Sequence, residues 1–272
     1  MNHGFLVLLL LSCALVSSVP LDGENVKYVQ SMELNFVAAL AHVNENFSRL
    51  QNVFCSGALV SSRHILTNEH CVDRESLDSV VVFMGSFDLD ATNSYKLCDW
   101  YLYHDWIQKP GQPLSIEFDD IAIIKLCKEV PIRPAVISWE TYESIQMSTS
   151  HLIMAGWGLI EDNAMSKFMR RASIQLYDET ACHVQTGWRS VARGRYLCTR
   201  SYPYILAGDG DSGSPLLDQK NRIVGVTSGV FMRQAMPHKS INMHANVTYY
   251  KNFINAILND NSNSNDIMDS FL

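Results

Sequence analysis

No internal apolar run of this chain approaches the roughly 18 residues that a membrane-spanning helix needs, so no span is expected after the first 20 residues. Positive charge is also in short supply. The 21 Lys and Arg face 28 Asp and Glu, a formal net charge of −7, which excludes the basic footprint of a nucleic-acid-binding domain. Helix-period patterns are scarce. Cysteines at the C-x2-C spacing of a structural zinc site are absent. Charged residues are few as well, at 18% against 47% apolar, and that balance excludes global disorder. The chain's 272 residues suffice for one large domain or two small ones.

The one long apolar run opens the sequence. Phe5 to Val16 is followed by Ser17, Ser18, Val19 and Pro20, the order of a signal-peptide core and its cleavage site. Its amino end has no Lys or Arg, which is atypical. A membrane anchor is the alternative, but about 12 apolar residues are too few to span. Cleavage is expected near Ser18, giving a signal peptide over 1–18 and an extracellular mature chain. Residues 259–272 are polar and low in complexity, and they read as a mobile tail.

Seven cysteines are present, and Cys13 leaves with the leader. Six remain: Cys55, Cys71, Cys98, Cys127, Cys182 and Cys198. An even number in an exported chain suggests disulfides, with fifteen pairings open on counting alone. Asn46-Phe-Ser and Asn246-Val-Thr are acceptor sequences for N-linked glycans.

Short runs rich in β-branched and aromatic residues dominate the rest, among them Phe36–Val43, His64–Leu66, Ser79–Met84, Asp120–Leu126, Ser150–Ala155 and Arg222–Val226. Loops of Gly, Asn, Asp, Ser and Pro separate them. Many short strands at such spacing predict an all-β barrel or sandwich. Ile121–Leu126 is almost continuously apolar, as expected of a strand buried on both faces. Tyr250, Phe253, Ile254, Ile257 and Leu258 recur at helical spacing, which predicts a terminal amphipathic helix over 248–258.

Three segments carry candidate chemistry. They are Thr67-Asn-Glu-His-Cys71, Asp119-Asp-Ile-Ala-Ile-Ile-Lys-Leu126 and Gly208-Asp-Gly-Asp-Ser-Gly-Ser-Pro215. Each holds one member of a His, Asp, Ser set. A serine hydroxyl becomes a nucleophile only when a base takes its proton. An imidazole is that base near neutral pH, and a buried carboxylate fixes its tautomer. The assignment is Ser212 as nucleophile, His70 as base, and Asp120, or its neighbour Asp119, as the orienting acid. Gly210 would let its own N–H and that of Ser212 converge on an oxyanion. His104, His151, His183 and His244 lack such context and read as surface or core residues.

With Gly156-Trp-Gly158 as a fourth match in order, the chain resembles the chymotrypsin/trypsin serine peptidases over about residues 34–258. The separations of 50 residues from His70 to Asp120 and 92 from Asp120 to Ser212 are similar to those of that family. The resemblance implies two packed six-stranded antiparallel β-barrels, one over about 30–140 and one over about 150–247, followed by the helix, in a peptidase domain covering 19–258. It implies a monomeric, secreted endopeptidase that acts on proteins or peptides, has a protein inhibitor as a further partner, needs no metal or organic cofactor, and engages neither nucleic acid nor membrane. It implies disulfides Cys55–Cys71 and Cys182–Cys198. The leftover Cys98 and Cys127, on neighbouring strands, would form a third.

The chain departs from the family pattern in places. The family's new N-terminus pairs with an acid that matches Asp211, but no activation sequence is visible here. The nearest candidate cut is after Lys27, and otherwise Asp211 needs another partner. Asn68 and Glu69 stand where the family has small residues, and Ser214 replaces a glycine. In the specificity pocket, Leu206 matches the floor position that is Asp in trypsin-like members, so a preference for Arg or Lys is not expected. Thr227 and Gly229 match the opposing wall, with Thr227 expected to hydrogen-bond the catalytic carboxylate. Asn242 matches a frequent glycine and would narrow the pocket.

Overall fold

The computed structural model describes residues 26–43, 48–107, 119–148, 151–159, 165–187, 193–202, 205–231 and 240–260. The expected leader, Asn46 and most of the expected tail lie outside them. Thirteen strands carry the fold among these residues. The first barrel is a closed sheet of β2 (Val37–His42), β3 (Val53–Leu59), β4 (His64–Thr67), β7 (Ala122–Leu126), β6 (Asn93–Leu102) and β5 (Val80–Met84), all antiparallel neighbours. Its strands are short and rich in Val, Ile and Leu, and the closed sheet leaves no unpaired edge.

The second barrel joins β8 (Leu152–Gly156), β9 (Arg170–Leu176), β10 (Tyr196–Arg200), β13 (Ile241–Asn246), β12 (Ile223–Phe231) and β11 (Pro215–Leu217), and β8 closes it by pairing with both β9 and β11. This is the pair of six-stranded barrels expected from the sequence. One seventh strand is added: β1 (Val26–Tyr28) runs along β9, with Lys27 opposite Arg171.

Short helices fill the connections: α1 (Arg49–Asn52), α2 (Tyr103–Ile107), α3 (Tyr142–Ser148) and α4 (Glu179–Thr186). The terminal helix, α5 (Lys251–Asn259), starts three residues later than the periodicity predicts. Asn246 is the reason. Its Oδ1 accepts from Thr248 N at 3.1 Å, which winds the preceding residues into a turn. The apolar stripe of α5 packs Phe253, Ile254 and Ile257 into the core. Tyr250 and Phe253 meet the ring of Tyr103 edge-on, at 4.8 and 5.4 Å between centroids. α5 therefore closes over the first barrel. The main apolar core reaches into both halves, from Val37, Leu40 and Ile124 to Trp157, Leu217 and Val226, and a second cluster around Met154, Ile174 and Leu216 fills the second barrel.

All three disulfides form: Cys55–Cys71, Cys98–Cys127 and Cys182–Cys198. Each ties a strand to a neighbouring element, which restricts the unfolded chain more than the folded one.

Candidate active site

His70 lies in a 3-10 turn, Glu69–Cys71, directly after β4. Strand pairing brings the end of β4 beside the start of β7, with Thr67 opposite Ala122. Asp120, two residues earlier, therefore falls next to the turn. His70 Nδ1 meets both carboxylate oxygens of Asp120 at 2.9 Å. The backbone N–H of His70 donates to Asp120 Oδ1 at 3.0 Å, and Asn68 Nδ2 donates to the Asp120 carbonyl at 2.8 Å. Burial works against a charged imidazole. The hydrogen bond and charge of Asp120, with the charge of Asp73, outweigh it and raise the His70 pKa above its ordinary value.

Asp119 points elsewhere. It accepts from the Tyr250 hydroxyl at 3.1 Å and faces Arg195 Nε at 3.6 Å. Of the two adjacent acids, Asp120 is the partner of His70.

Ser212 sits in the turn before β11, and that turn is fastened to the first barrel. Ser56 N donates to the Ser212 carbonyl at 2.6 Å, and Ser56 Oγ donates to the Gly210 carbonyl at 2.8 Å. Thr67 Oγ1 in turn holds the Ser56 carbonyl at 2.7 Å. Cys55, beside Ser56, is bonded to Cys71, beside His70. The turn bearing Ser212 and the turn bearing His70 are thus joined through neighbouring residues. Among the described residues no hydrogen bond links Ser212 Oγ to His70, whose Nε2 lies 3.8 Å from Cys71 Sγ. Both nearby sulfurs are consumed in the disulfide, which offers no thiolate to a metal. Gly210 has φ +89°, a positive φ that glycine adopts without strain.

Asp211 is 1% exposed. It accepts from Gly158 N at 3.0 Å and Gly208 N at 2.8 Å, which are partners the sequence did not name. The Gly-Trp-Gly sequence has a reason here. A Cβ on Gly158 would fall 2.3 Å from the Asp211 carboxylate. The Lys27–Tyr28 bond, the nearest candidate for an activating cut, lies inside β1.

The expected wall needs one correction. Thr227 does not touch the Asp120 carboxylate. Its hydroxyl meets His244 Nδ1 at 3.1 Å. Thr227 and Ser228 alternate to opposite faces of β12, and the β12–β13 register shifts just after Thr227, before Gly229. Ser228 faces the catalytic side instead, and its hydroxyl accepts from Asn68 Nδ2 at 3.1 Å. Gly229 stands where an added Cβ would meet open space.

Asn242 is fully buried. Its Oδ1 accepts from Ala207 N at 2.7 Å and its Nδ2 donates to the Ile205 carbonyl at 2.9 Å. It thereby clamps the segment holding Leu206, itself 2% exposed. Val230 is the cross-strand partner of Asn242. Behind them His244 is wedged between two threonines, with Nε2 2.8 Å from Thr199 Oγ1. Burial pushes its pKa down to about 3.

Beside Gly210 a cavity of about 570 Å³ opens between Leu50, Phe54, Leu159, Met165 and Asp209. A larger one, about 720 Å³, lies along β1 at Lys27, Glu33 and Arg171. It contains none of the candidate site residues, and the smaller one borders Gly210 alone among them.

The sequon at Asn246 is closed. Asn246 is 3% exposed, its Nδ2 donates to the Gly194 carbonyl at 2.7 Å, and Thr248 Oγ1 donates to the Glu140 carbonyl at 2.8 Å. The folded chain has no room for a glycan on that nitrogen.

The trypsin family model matches residues 29–254. The chain belongs to the trypsin family. It is 24% identical over 218 residues to the human chymotrypsin-like elastase family member 1, covering 76% of this chain and 82% of that protein. It is 27% identical over 185 residues to phenoloxidase-activating factor 3 of Holotrichia diomphalia, covering 61% of this chain but only about half of the relative, 51%. Against the Drosophila melanogaster serine protease snk the identity is 30% over 210 residues, covering 71% of this chain and 47% of the relative. Mouse neuropsin, a serine protease, superposes with a TM-score of 0.66 over 86% of this chain and 98% of its own, at 19% identity. That likeness bears on the fold alone. Membership in the family supports a hydrolase that acts on proteins.

Proposed function

We propose that this protein is a secreted serine endopeptidase working through an acyl-enzyme. The observation that carries the proposal is the His70–Asp120 contact, with Nδ1 2.9 Å from both carboxylate oxygens, beside the turn bearing Ser212. Nδ1 then carries the hydrogen and Nε2 is the free base. His70 Nε2 takes the Ser212 proton as Oγ bonds to the substrate carbonyl carbon. The oxygen's developing charge is met by the N–H groups of Gly210 and Ser212. The imidazolium gives its proton to the leaving amine, and water then repeats the sequence to release the acid. Asp120 stays ionised and stabilises the imidazolium.

Asn242 and Val230 are cross-strand partners where the pocket is expected, and Leu206 brings no charge. A cationic side chain would be buried unpaired, at a cost of several kcal/mol. A small apolar side chain, Ala or Val, is the favoured residue at the cleaved position. Three disulfides fit an oxidising compartment outside the cytosol. A single copy carries the whole site, so a monomer suffices. Asn46 is left as the glycan acceptor.

Labelling with a fluorophosphonate probe tests the proposal. The wild-type chain is expected to react, and Ser212→Ala is not. A folded, correctly processed sample that stays unlabelled would refute it.

The second reading is a non-catalytic homologue that binds an extracellular partner. It is favoured by the missing hydrogen bond between Ser212 and His70, and by a candidate activation bond that is already paired within a strand. Apo sites are often loose in this way, so it ranks second. A partner whose capture survives Ser212→Ala, together with no turnover of a peptide library, would establish it. The amino-terminal sequence of the natural protein separates the two further. A start at Tyr28 marks processing, and a start near Val19 marks none.

A further inference from the structure

Beside the His70–Asp120 pair lies a second contact between a histidine and a carboxylate, which the mechanism does not use. Glu69 precedes His70 in the same 3-10 turn, and its side chain is 4% exposed. His104, in the first turn of α2, engages both of its oxygens. The backbone N–H of His104 donates to Oε2 at 3.2 Å, and the ring Nδ1 meets Oε1. The other ring nitrogen, Nε2, faces Asp105 Oδ1 at 3.0 Å. A buried carboxylate without such partners would cost several kcal/mol.

The turn is consequently gripped from two sides. Asp120, from the segment before β7, holds the backbone N–H and the ring of His70. α2 holds Glu69, one residue away. Consecutive side chains leave the turn in different directions, so fixing one constrains the rotation of the other. Burial raises the Glu69 pKa, and the His104 hydrogen bonds oppose that shift. The charged or titratable groups around Glu69 are His104 and Asp105 on α2, Asp120 before β7, and His70 with Asp73 on its own segment.

We propose that Glu69 and His104 form a positioning pair that anchors the His70 turn to α2 and so holds Nδ1 of His70 against the Asp120 carboxylate. The catalytic consequence rests on the peptidase reading, but the geometric claim does not. The family resemblance implies a small residue where Glu69 stands, so this anchor is a property of this chain.

The experiment uses the full mature chain and three variants, Glu69→Gln, Glu69→Leu and His104→Phe. Two quantities are read: the low-field proton NMR resonance of His70 Nδ1–H, and the rate of fluorophosphonate labelling. Gln keeps an acceptor for His104. Leu fills the space without one, and Phe at 104 removes the ring partner while leaving the backbone donor. Glu69→Leu and His104→Phe are expected to broaden or lose the resonance and to label about tenfold more slowly, the scale of one lost buried hydrogen bond. Glu69→Gln is expected to keep the resonance and to label within about threefold of wild type. His104→Phe serves as the test if Glu69→Leu does not fold. An intact resonance and rate in a folded Leu or Phe variant would overturn the proposal, as would a Gln variant damaged as badly as Leu, or a wild-type chain with no low-field resonance. If the wild type shows the resonance but is never labelled, the peptidase reading fails, and the NMR comparison alone decides on the anchor.

Discussion

Ser56 grips the turn of Ser212 at two points, through its N–H to the Ser212 carbonyl at 2.6 Å and its Oγ to the Gly210 carbonyl at 2.8 Å. The approach is close because Gly213 has no side chain. A Cβ there would lie 2.0 Å from the Ser56 carbonyl oxygen and 2.4 Å from Thr67 Oγ1, at φ +84°. Both the contact and the backbone conformation exclude alanine. Gly213→Ala is expected to destabilise the fold by about 4 kcal/mol or more and to abolish labelling. Denaturant unfolding checks the first, and a midpoint equal to wild type would show that the turn is not held as described.

Asn242 sets the second expectation. Removing its side chain in Asn242→Gly empties the space beside its cross-strand partner Val230 and releases the Ile205–Ala207 segment. The ranking of chromogenic peptides should move from Ala or Val toward Leu or Phe at the cleaved position, by about tenfold in relative kcat/KM. The lost amide clamp should lower stability by about 1–3 kcal/mol. An unchanged ranking would mean that Asn242 does not border the pocket.

His244 gives a pH signature. Its folded pKa is pushed down to about 3 from an ordinary 6.5, so below 6.5 the unfolded chain binds a proton that the folded chain refuses. The folded state therefore loses stability as pH falls from about 6.5 toward 3, at up to about 1.4 kcal/mol per pH unit from this group. Above 6.5 the effect vanishes. His244→Gln keeps hydrogen-bonding capacity without titrating. The stability difference between wild type and His244→Gln should shrink, or reverse, between pH 7 and pH 5. A difference independent of pH would contradict a neutral buried imidazole.

Glycan mapping supplies a fourth test. Asn46→Gln should remove the whole mass shift seen on enzymatic deglycosylation. Asn246→Gln should leave that shift intact and lower stability by about 1–3 kcal/mol, because the buried hydrogen bond to Gly194 is lost. Glycopeptides containing Asn246 would show that the sequon is open.

Much of this molecule could be read from its residues, and the misses have physical causes. Short β-branched runs point to an all-β barrel or sandwich, and the family resemblance supplies the two barrels and the choice of Asp120 over Asp119 as the partner of His70. Thr227 matches the family position in sequence, but which face of β12 its side chain takes depends on how the strand is paired, and the register shift between Thr227 and Gly229 leaves no mark in the sequence. Glu69 stood out as a departure, yet its partner His104 lies 35 residues away and reads alone as an ordinary histidine. Asn246 carries an acceptor sequence, but whether its nitrogen is free depends on Gly194, a contact across 52 residues. Local patterns report elements and motifs. They do not report which distant backbone group will claim a polar side chain.

The two ends of the described chain are exchanged between the barrels. β1 precedes the first barrel in sequence but pairs with β9 of the second, and α5 follows the second barrel but packs on Tyr103 and Trp106 of the first. Each half is buckled shut by the other's end of the polypeptide. Cutting the chain between them would strip each of its clasp, so neither half is expected to be as stable alone. The molecule should melt in a single step rather than two. It should also assemble slowly, since its last contacts wait for parts of the chain more than a hundred residues apart to meet.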